Sequence, residues 1–476
     1  MELSKKAGLF LGPIFFFTIL SLPFDMISDK GDSVIAIAVW MVTWWITEAV
    51  SISVTALLPL LLFPILKIMD IGDVGANYGS PIIFLFFGGF VLALALEKVN
   101  LHKRIALNII KVTGTTPNKV VLGFMIATAS LSMWISNTAT TVVMLPIAMS
   151  VIGLLVNDAD GFTKDDRNFA LSVMLGIAFS ANAGGVATVI GTPPNSVMIG
   201  LLENEYNIEI SFLKWMVLGV PFSTLMIWIS YIVLVKWMYP NKQLKFAASK
   251  EVINEELTKL GPMSGKEKMV LSIFGVTVFL WIFRTVINGV FPALKLNDTM
   301  ISIMAAIAMF SIPYNMKKGD FIITWKDTQK LAWGILILFG GGLALAKGMS
   351  VSGIVDMVSG AIGESNISIL FTAILLITLM LFMTELMSNV ALIAVLAPVV
   401  AGIAIGLDLP ILYLLIPVTI ASSCAFMLPM ATPPNAIVFA SGYVKVSEMA
   451  RVGVILNFIA IIILVLVFQF VLPLLF

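Results

Sequence analysis

Apolar runs long enough to cross a bilayer follow one another through most of this chain. No other feature restricts its fold as strongly. Residues 8–24, 211–235, 267–283 and 452–476 are the clearest runs, and a hydrocarbon core takes about 20 residues of helix. Composition agrees: 59% of residues are hydrophobic and 12% charged, against about 25% charged in a soluble domain, whose surface needs polar cover. The chain reads as an all-α polytopic membrane protein. Lys5 and Lys6 precede the first run. No small-residue cleavage site follows, so 1–28 reads as a retained first membrane helix rather than a signal peptide.

Charge and cysteine content exclude several classes. A net charge of +1 gives no electrostatic footprint for nucleic acid or an acidic partner. The single cysteine, Cys424, cannot form an intramolecular disulfide. One histidine and one cysteine are too few for a zinc or redox-metal centre. No resident cofactor is expected. Cys424 reads as packing, and His102, inside a basic stretch, as a surface residue.

Helices are expected near 8–27, 33–49, 51–66 and 80–97, followed by an amphipathic basic stretch, 98–118. The apolar segment 120–156 is interrupted by Ser136-Asn137-Thr138, and 169–201 is broken around 182–195. Segment 211–238 closes the first half, and a charged linker, 239–268, carries Lys242, Lys245, Lys250, Glu251, Glu255 and Glu256. The second half offers 269–291, 297–312 and 331–347, interrupted segments at 367–404 and 411–441, and a last span at 452–476. Short basic loops stay on the cytoplasmic side. To satisfy that rule the two interrupted segments 120–156 and 367–404 must enter and leave by one face, as re-entrant helical hairpins. The remainder gives about eleven crossings, with the N-terminus inside.

The two halves repeat each other. Phe87-Gly88-Gly89 matches Phe339-Gly340-Gly341, Ser136-Asn137 matches Ser388-Asn389, and Pro146 matches Pro398, each pair 252 positions apart. Thr192-Pro193-Pro194-Asn195 matches Thr432-Pro433-Pro434-Asn435 at a spacing of 240. Chance likeness between apolar segments would not preserve these polar tetrads. An odd number of crossings per repeat sets the two in opposite orientations. Inverted repeats with broken helices are the architecture of secondary transporters, with the site where the breaks meet near the midplane.

A cluster such as Ser136-Asn137-Thr138 inside an apolar segment has to be satisfied by protein or water. Such residues are good N-caps, and a hairpin tip built from them offers free N–H groups and the positive end of a helix dipole. That arrangement suits a carboxylate without an arginine. Hydroxyl, amide and carbonyl oxygens suit a hard cation such as sodium. The alternative, small polar residues packing helices together, is outweighed by the duplication at Ser388-Asn389. In Gly191-Thr192-Pro193-Pro194-Asn195 and Ala431-Thr432-Pro433-Pro434-Asn435 the prolines remove backbone donors and stop a helix, leaving carbonyls before the break and N–H groups after it. Intramembrane charges are functional candidates by default. Glu385 precedes Ser388 by three positions and could orient the hairpin tip; Glu48, Glu97, Arg284 and Lys347 are the others.

On these motifs, with Trp44-Trp45-Ile46-Thr47-Glu48-Ala49 leading to Thr55-Ala56-Leu57-Leu58-Pro59, the chain resembles the divalent anion/sodium symporter family, the sodium-coupled dicarboxylate and citrate transporters. The resemblance covers nearly the whole length. It implies a homodimer in which each protomer has a scaffold and a mobile transport domain, working as an elevator. Repeat 1 would then be 29–238, with scaffold helices in 33–97 and a transport part made of hairpin 119–156 and broken helix 168–201. Repeat 2 would be 269–476, with scaffold helices in 269–347, hairpin 366–404 and broken helix 411–441. By motif position one sodium site would use Ser132, Ser136, Asn137 and Gly191. The other would use Thr384, Met387, Asn389 and Ala431, with Met387 and Ala431 acting through their carbonyls. Substrate carboxylates would meet Ser136, Asn137, Thr138, Ser388, Asn389, Val390, Thr432 and Pro433. Two positions depart from the family pattern: Val390 stands where a threonine is expected, and Ser51 where a proline follows Glu-Ala.

The expected function is therefore sodium-coupled symport of C4-dicarboxylates such as succinate, malate or fumarate in a cell membrane, that of a bacterium. A sodium-independent exchanger of the same fold, or a carrier of citrate or sulfate, would carry the same motifs. An enzyme would need a nucleophile–base pair or metal ligands, which this composition barely supplies.

Overall fold

The structure is a computed structural model and describes residues 3–21, 28–114, 116–156, 163–240, 249–315, 319–365 and 367–476. Lys242 and Lys245 of the charged linker lie outside them. The first half runs α1 (Leu3–Ser21), α2 (Asp29–Thr47), α3 (Ile52–Thr55), α4 (Leu58–Ile65), α5 (Ile71–Tyr78), α6 (Pro81–Lys98), α7 (Leu101–Thr113), α8 (Pro117–Ser132), α9 (Asn137–Val156), α10 (Lys164–Gly185), α11 (Pro193–Tyr206) and α12 (Phe212–Ile232). Then come α13 (Ser249–Leu260), α14 (Gly265–Val290), α15 (Asp298–Ser311), α16 (Trp333–Val351), α17 (Ile354–Gly363), α18 (Ile369–Met383), α19 (Asn389–Gly406), α20 (Ile411–Ser423), α21 (Pro433–Ala440), α22 (Val446–Leu466) and α23 (Leu472–Leu475). A two-residue-deep β-hairpin pairs Pro313–Asn315 with Asp320–Phe321.

Six helices among the described residues are long and apolar enough to cross a membrane. The other apolar helices are shorter because the polar and proline breaks divide them. Both repeats end alike, α12 and α22 each running into a π-helical turn, at Val233–Met238 and Val467–Val471. Sequence marks the starts. Ser264 and Glu267 form a reciprocal capping box on α14, as Thr163 and Asp166 do on α10, which satisfies otherwise orphan N–H groups. Prolines open α8, α11 and α21, where a missing N–H costs nothing.

The duplicated Phe-Gly-Gly motif packs across the repeats. Gly88 on α6 lies so close to Ser302 of α15, and Gly340 and Gly341 on α16 so close to Tyr78 and Ala56, that none of the three has room for a Cβ. Each motif thus lets a helix of one repeat approach the other at backbone distance, as small residues do between membrane helices.

Several expectations change. The stretch 98–118 is indeed helical in α7, but His102 is 5% exposed rather than on the surface, with Nδ1 2.9 Å from the Leu96 carbonyl. Burial holds its pKa below the ordinary imidazole value; the Leu96 contact opposes this and Lys103 adds to it. The amphipathic period of α7 turns His102 inward with Leu101, Ala106 and Leu107. The linker is not simply a charged loop, because α13 docks on α7 and α9. Lys103 meets Glu256 at 2.8 Å, and Arg104 donates to the Gly261 carbonyl at 2.9 Å and pairs with Glu267. Helices α5 and α17 were not expected. The position of α17 in its repeat matches that of α7, but it lacks the basic residues that made α7 conspicuous.

Candidate functional site

Hairpin α8–α9 turns at 133–136 and hairpin α18–α19 at 384–388. Each second arm packs on the outer half of the other repeat's broken helix, α9 on α21 and α19 on α11. Four chain breaks are thereby drawn together crosswise.

At the first tip, oxygens converge. The Ser132 hydroxyl donates to the Ala181 carbonyl at 2.7 Å, and the Asn137 side-chain oxygen stands 2.5 Å from the Ser132 oxygen. That amide oxygen also faces the carbonyls of Ala181 and Gly191 at 3.2 and 3.3 Å. With the amide reversed, Nδ2 would donate to all three, so either a proton donor or a cation satisfies the cluster; the orientation of an amide is assigned from such networks. Oxygens about 3.3 Å apart form the edge of a shell of roughly 2.4 Å radius, the oxygen distance of hard cations the size of Ca²⁺. The backbone here requires glycine. A Cβ on Gly185 would stand 2.6 Å from Asn137 Oδ1, and one on Gly191 would collide with the Gly185 carbonyl. Among the described residues no group of three or more His, Cys, Asp or Glu could hold a metal. The neutral oxygens of this cluster nonetheless fit a monovalent hard cation.

The second tip repeats part of this. Thr384 Oγ1 donates to the Ser422 carbonyl at 2.6 Å, the counterpart of Ser132 on Ala181. The two repeats differ where Met133 is replaced by Glu385. The Met133 carbonyl accepts from Thr188 Oγ1. Glu385, 2% exposed, accepts instead from the N–H groups of Phe426, Met427 and Leu428 at 2.8–3.1 Å and from Asn457 Nδ2 at 2.8 Å. Glu385, in the turn itself, therefore ties its hairpin tip to the second helix break.

The Thr-Pro-Pro-Asn asparagines have a role their sequence did not disclose. Asn195 Nδ2 donates to the Thr188 carbonyl at 2.8 Å, and Asn435 Nδ2 to the Leu428 and Ala425 carbonyls at 3.0 and 3.1 Å. Each closes its own break, consuming carbonyls left free where the helix is interrupted. The duplication was the available signal, since both asparagines sit at the same offset from their breaks.

Exposure divides the expected residues. Ser136, Thr138 and Pro433 are exposed, and Asn137, Ser388, Asn389, Val390 and Met387 half-buried. Ser132, Gly191, Thr384, Ala431 and Thr432 are buried. The Ser136 hydroxyl accepts from the Ala139 N–H at 3.2 Å, capping α9. Thr432 Oγ1 accepts from the Asn435 N–H and from Asn182. The remaining intramembrane charges lie elsewhere: Arg284 pairs with Glu209 at 2.9 Å and Asp298 at 3.4 Å, Lys347 with Glu205 at 3.2 Å, and Glu48, in the left-handed region, with Lys5.

The sodium:sulfate symporter transmembrane region matches residues 3–476. The chain belongs to this family. A sodium-dependent dicarboxylate transporter of Staphylococcus saprophyticus is 40% identical over 483 aligned positions, which cover 99% of this chain and 92% of that one. Its Staphylococcus aureus counterpart is 39% identical over 475 positions, 98% and 91% of the two chains. Among solved structures, the Alcanivorax borkumensis YdaH transporter superposes with a TM-score of 0.57 at 12% identity, over 84% of this chain and 88% of that one. Neisseria gonorrhoeae MtrF gives 0.55 at 11%, over 95% and 97%. These two similarities bear on the fold alone. This symporter-family chain is a multi-pass membrane protein.

Proposed function

We propose that the protein is a secondary transporter that carries C4-dicarboxylates together with sodium by elevator-like alternating access. One observation carries the reading: Ser132, Asn137, Ala181 and Gly191 gather hydroxyl, amide and carbonyl oxygens at a hairpin tip, with exposed Ser136 and Thr138 beside them. A cation in that cluster adds its charge to the amino-terminal dipole of α9, and a carboxylate docking on the tip meets both. By the repeat, Thr384, Met387, Asn389 and Ala431 hold a second sodium ion. Ser388, Asn389, Val390, Thr432 and Pro433 face the other carboxylate, Val390 lying against the carbon skeleton. Desolvating a dianion is costly, and two sodium ions neutralise it without a basic side chain. The names of the staphylococcal relatives support both sodium and dicarboxylate.

In this reading α2–α6 and α14–α16 form the scaffold, and the two hairpins and broken helices form the moving body. Two protomers pair through their scaffolds, and the N-terminus is cytoplasmic. Uptake of radiolabelled succinate into proteoliposomes tests the proposal. An inward sodium gradient should drive accumulation into vesicles that hold no dicarboxylate. Uptake that needs internal dicarboxylate and ignores sodium would establish an exchanger instead. Competition by citrate or sulfate at equal potency would overturn the substrate class.

A further inference from the structure

Asn182 lies on α10 one residue beyond Ala181, whose carbonyl is part of the first oxygen cluster. It is 1% exposed. Its Nδ2 reaches the Ala425 carbonyl at 2.9 Å, Thr432 Oγ1 at 3.1 Å and Asn435 Oδ1 at 3.2 Å. All three acceptors belong to the other repeat's break. Among the described residues every hydrogen bond joining the two breaks comes from this one amide. The repeat does not reciprocate: at the spacing of 240 Asn182 falls on Ser422 of α20, whose hydroxyl donates to the Thr419 carbonyl at 2.7 Å within its own helix, while the neighbouring Ser423 hydroxyl is buried without a hydrogen-bond partner. A serine is too short to make the return contact.

We infer that Asn182 is the positioning residue that couples the first sodium site to the second half of the substrate site. It touches neither ion nor substrate. An ion held by Ala181, Ser132, Asn137 and Gly191 fixes the end of α10. The Asn182 amide then fixes Thr432 and, through Asn435, the loop from Ala425 to Leu428. Sodium at one break thereby preorganises the surface that receives a carboxylate at the other. Coupling of this kind is a free energy shared between sites, typically 5- to 150-fold in affinity.

The inference rests on the sodium–dicarboxylate reading, and its test separates the two. Succinate affinity is measured on the purified full-length protein in nanodiscs, in sodium and in choline. Stabilisation by sodium alone is followed by thermal unfolding. In the unsubstituted protein sodium should tighten succinate binding by at least about tenfold. In Asn182→Ser and Asn182→Asp the tightening should fall below about threefold, while sodium alone still stabilises the protein, because its ligands are intact. Ser423→Ala should leave the tightening unchanged. A purely architectural Asn182 would lower thermal stability and keep the sodium effect on succinate, which overturns the inference. If neither Asn182 variant is monodisperse, Thr432→Val decides, since it removes an acceptor at the far end of the link. An unchanged sodium effect there also overturns the inference. No sodium effect on succinate in the unsubstituted protein would overturn the proposed function, and this inference with it.

Discussion

Asn137 and Asn389 open the second arms of the two hairpins, yet their surroundings differ. The Asn137 amide faces the Ser132 hydroxyl and two backbone carbonyls, whereas no side-chain cap bond forms at the start of α19. Asn137→Ala deletes a ligand of the proposed cation site and opens a buried acceptor cluster. It is expected to raise the sodium concentration for half-maximal uptake more than about tenfold, given the ~1.4 kcal/mol that one hydrogen bond to a charged group exceeds. The protein should still insert and purify, because the residue is only half-buried. Sodium titration of uptake at saturating succinate checks this, and an unaltered titration would remove Asn137 from the site. Ser-Asn-Thr could be singled out from the sequence because polar residues in apolar surroundings are costly to leave idle. Asn182 could not: one asparagine in an alanine- and glycine-rich helix gives no hint that its partners lie some 250 positions away.

At the level of elements, the broken helices are held open by their own residues. Asn195 and Asn435 bind carbonyls left free where the helices are interrupted, and Glu385 binds N–H groups that would otherwise be orphaned. What remains free is therefore narrower than the sequence suggests, which lists every donor and acceptor a break could offer. Gly191 is the tightest point of the first break, packed on the Gly185 carbonyl. Gly191→Ala must push that loop outward and displace a carbonyl of the cluster. Sodium-dependent thermal stabilisation should be largely abolished, while the apo protein loses stability by only about 1–3 kcal/mol. Full retention of the sodium effect would show that the cluster tolerates the shift. The helices themselves were mostly legible, because apolar length and duplicated breaks set them. The short α5 and the weakly charged α17 were not, because neither spans a bilayer nor carries a charge pattern.

Across the whole molecule, the repeats share a fold but not an environment. Trp134, at the first tip, stacks near Trp281 and packs edge-on to Phe274, and Ile190, before the first Thr-Pro-Pro-Asn, is 7% exposed beside Gly89. Their counterparts Leu386 and Met430 are 68% and 76% exposed. In the proposed elevator, two inverted halves placed unequally against the scaffold would give such a contrast, and exchanging the placements would give the opposite state. A cysteine at Met430 should react rapidly with a membrane-impermeant maleimide and one at Ile190 slowly. In the presence of sodium and succinate the Ile190→Cys protein should gain reactivity as the carrier cycles. Invariant rates at both positions under turnover would argue for a body that does not move. The end of α11 and the loop after it must release their scaffold contacts in such a motion. Asn204 meets Ser80, Glu205 meets Lys347, and Glu209 meets Arg284, all polar contacts that water can replace.

The sequence by itself determined the solvent, the helices and the duplicated breaks. Bilayer thickness and the cost of an unpaired backbone group act locally along the chain, so a run of apolar residues or a pair of prolines records them directly. Only the tertiary structure decided which freed groups stay available, that His102 turns inward, that Glu385 fills the break of its own repeat, and that a single amide joins the two breaks. Those outcomes depend on which oxygen meets which N–H between segments far apart in sequence. Hydrogen bonding holds over about 3 Å and in a narrow range of angles, and no local pattern encodes a distance of that size.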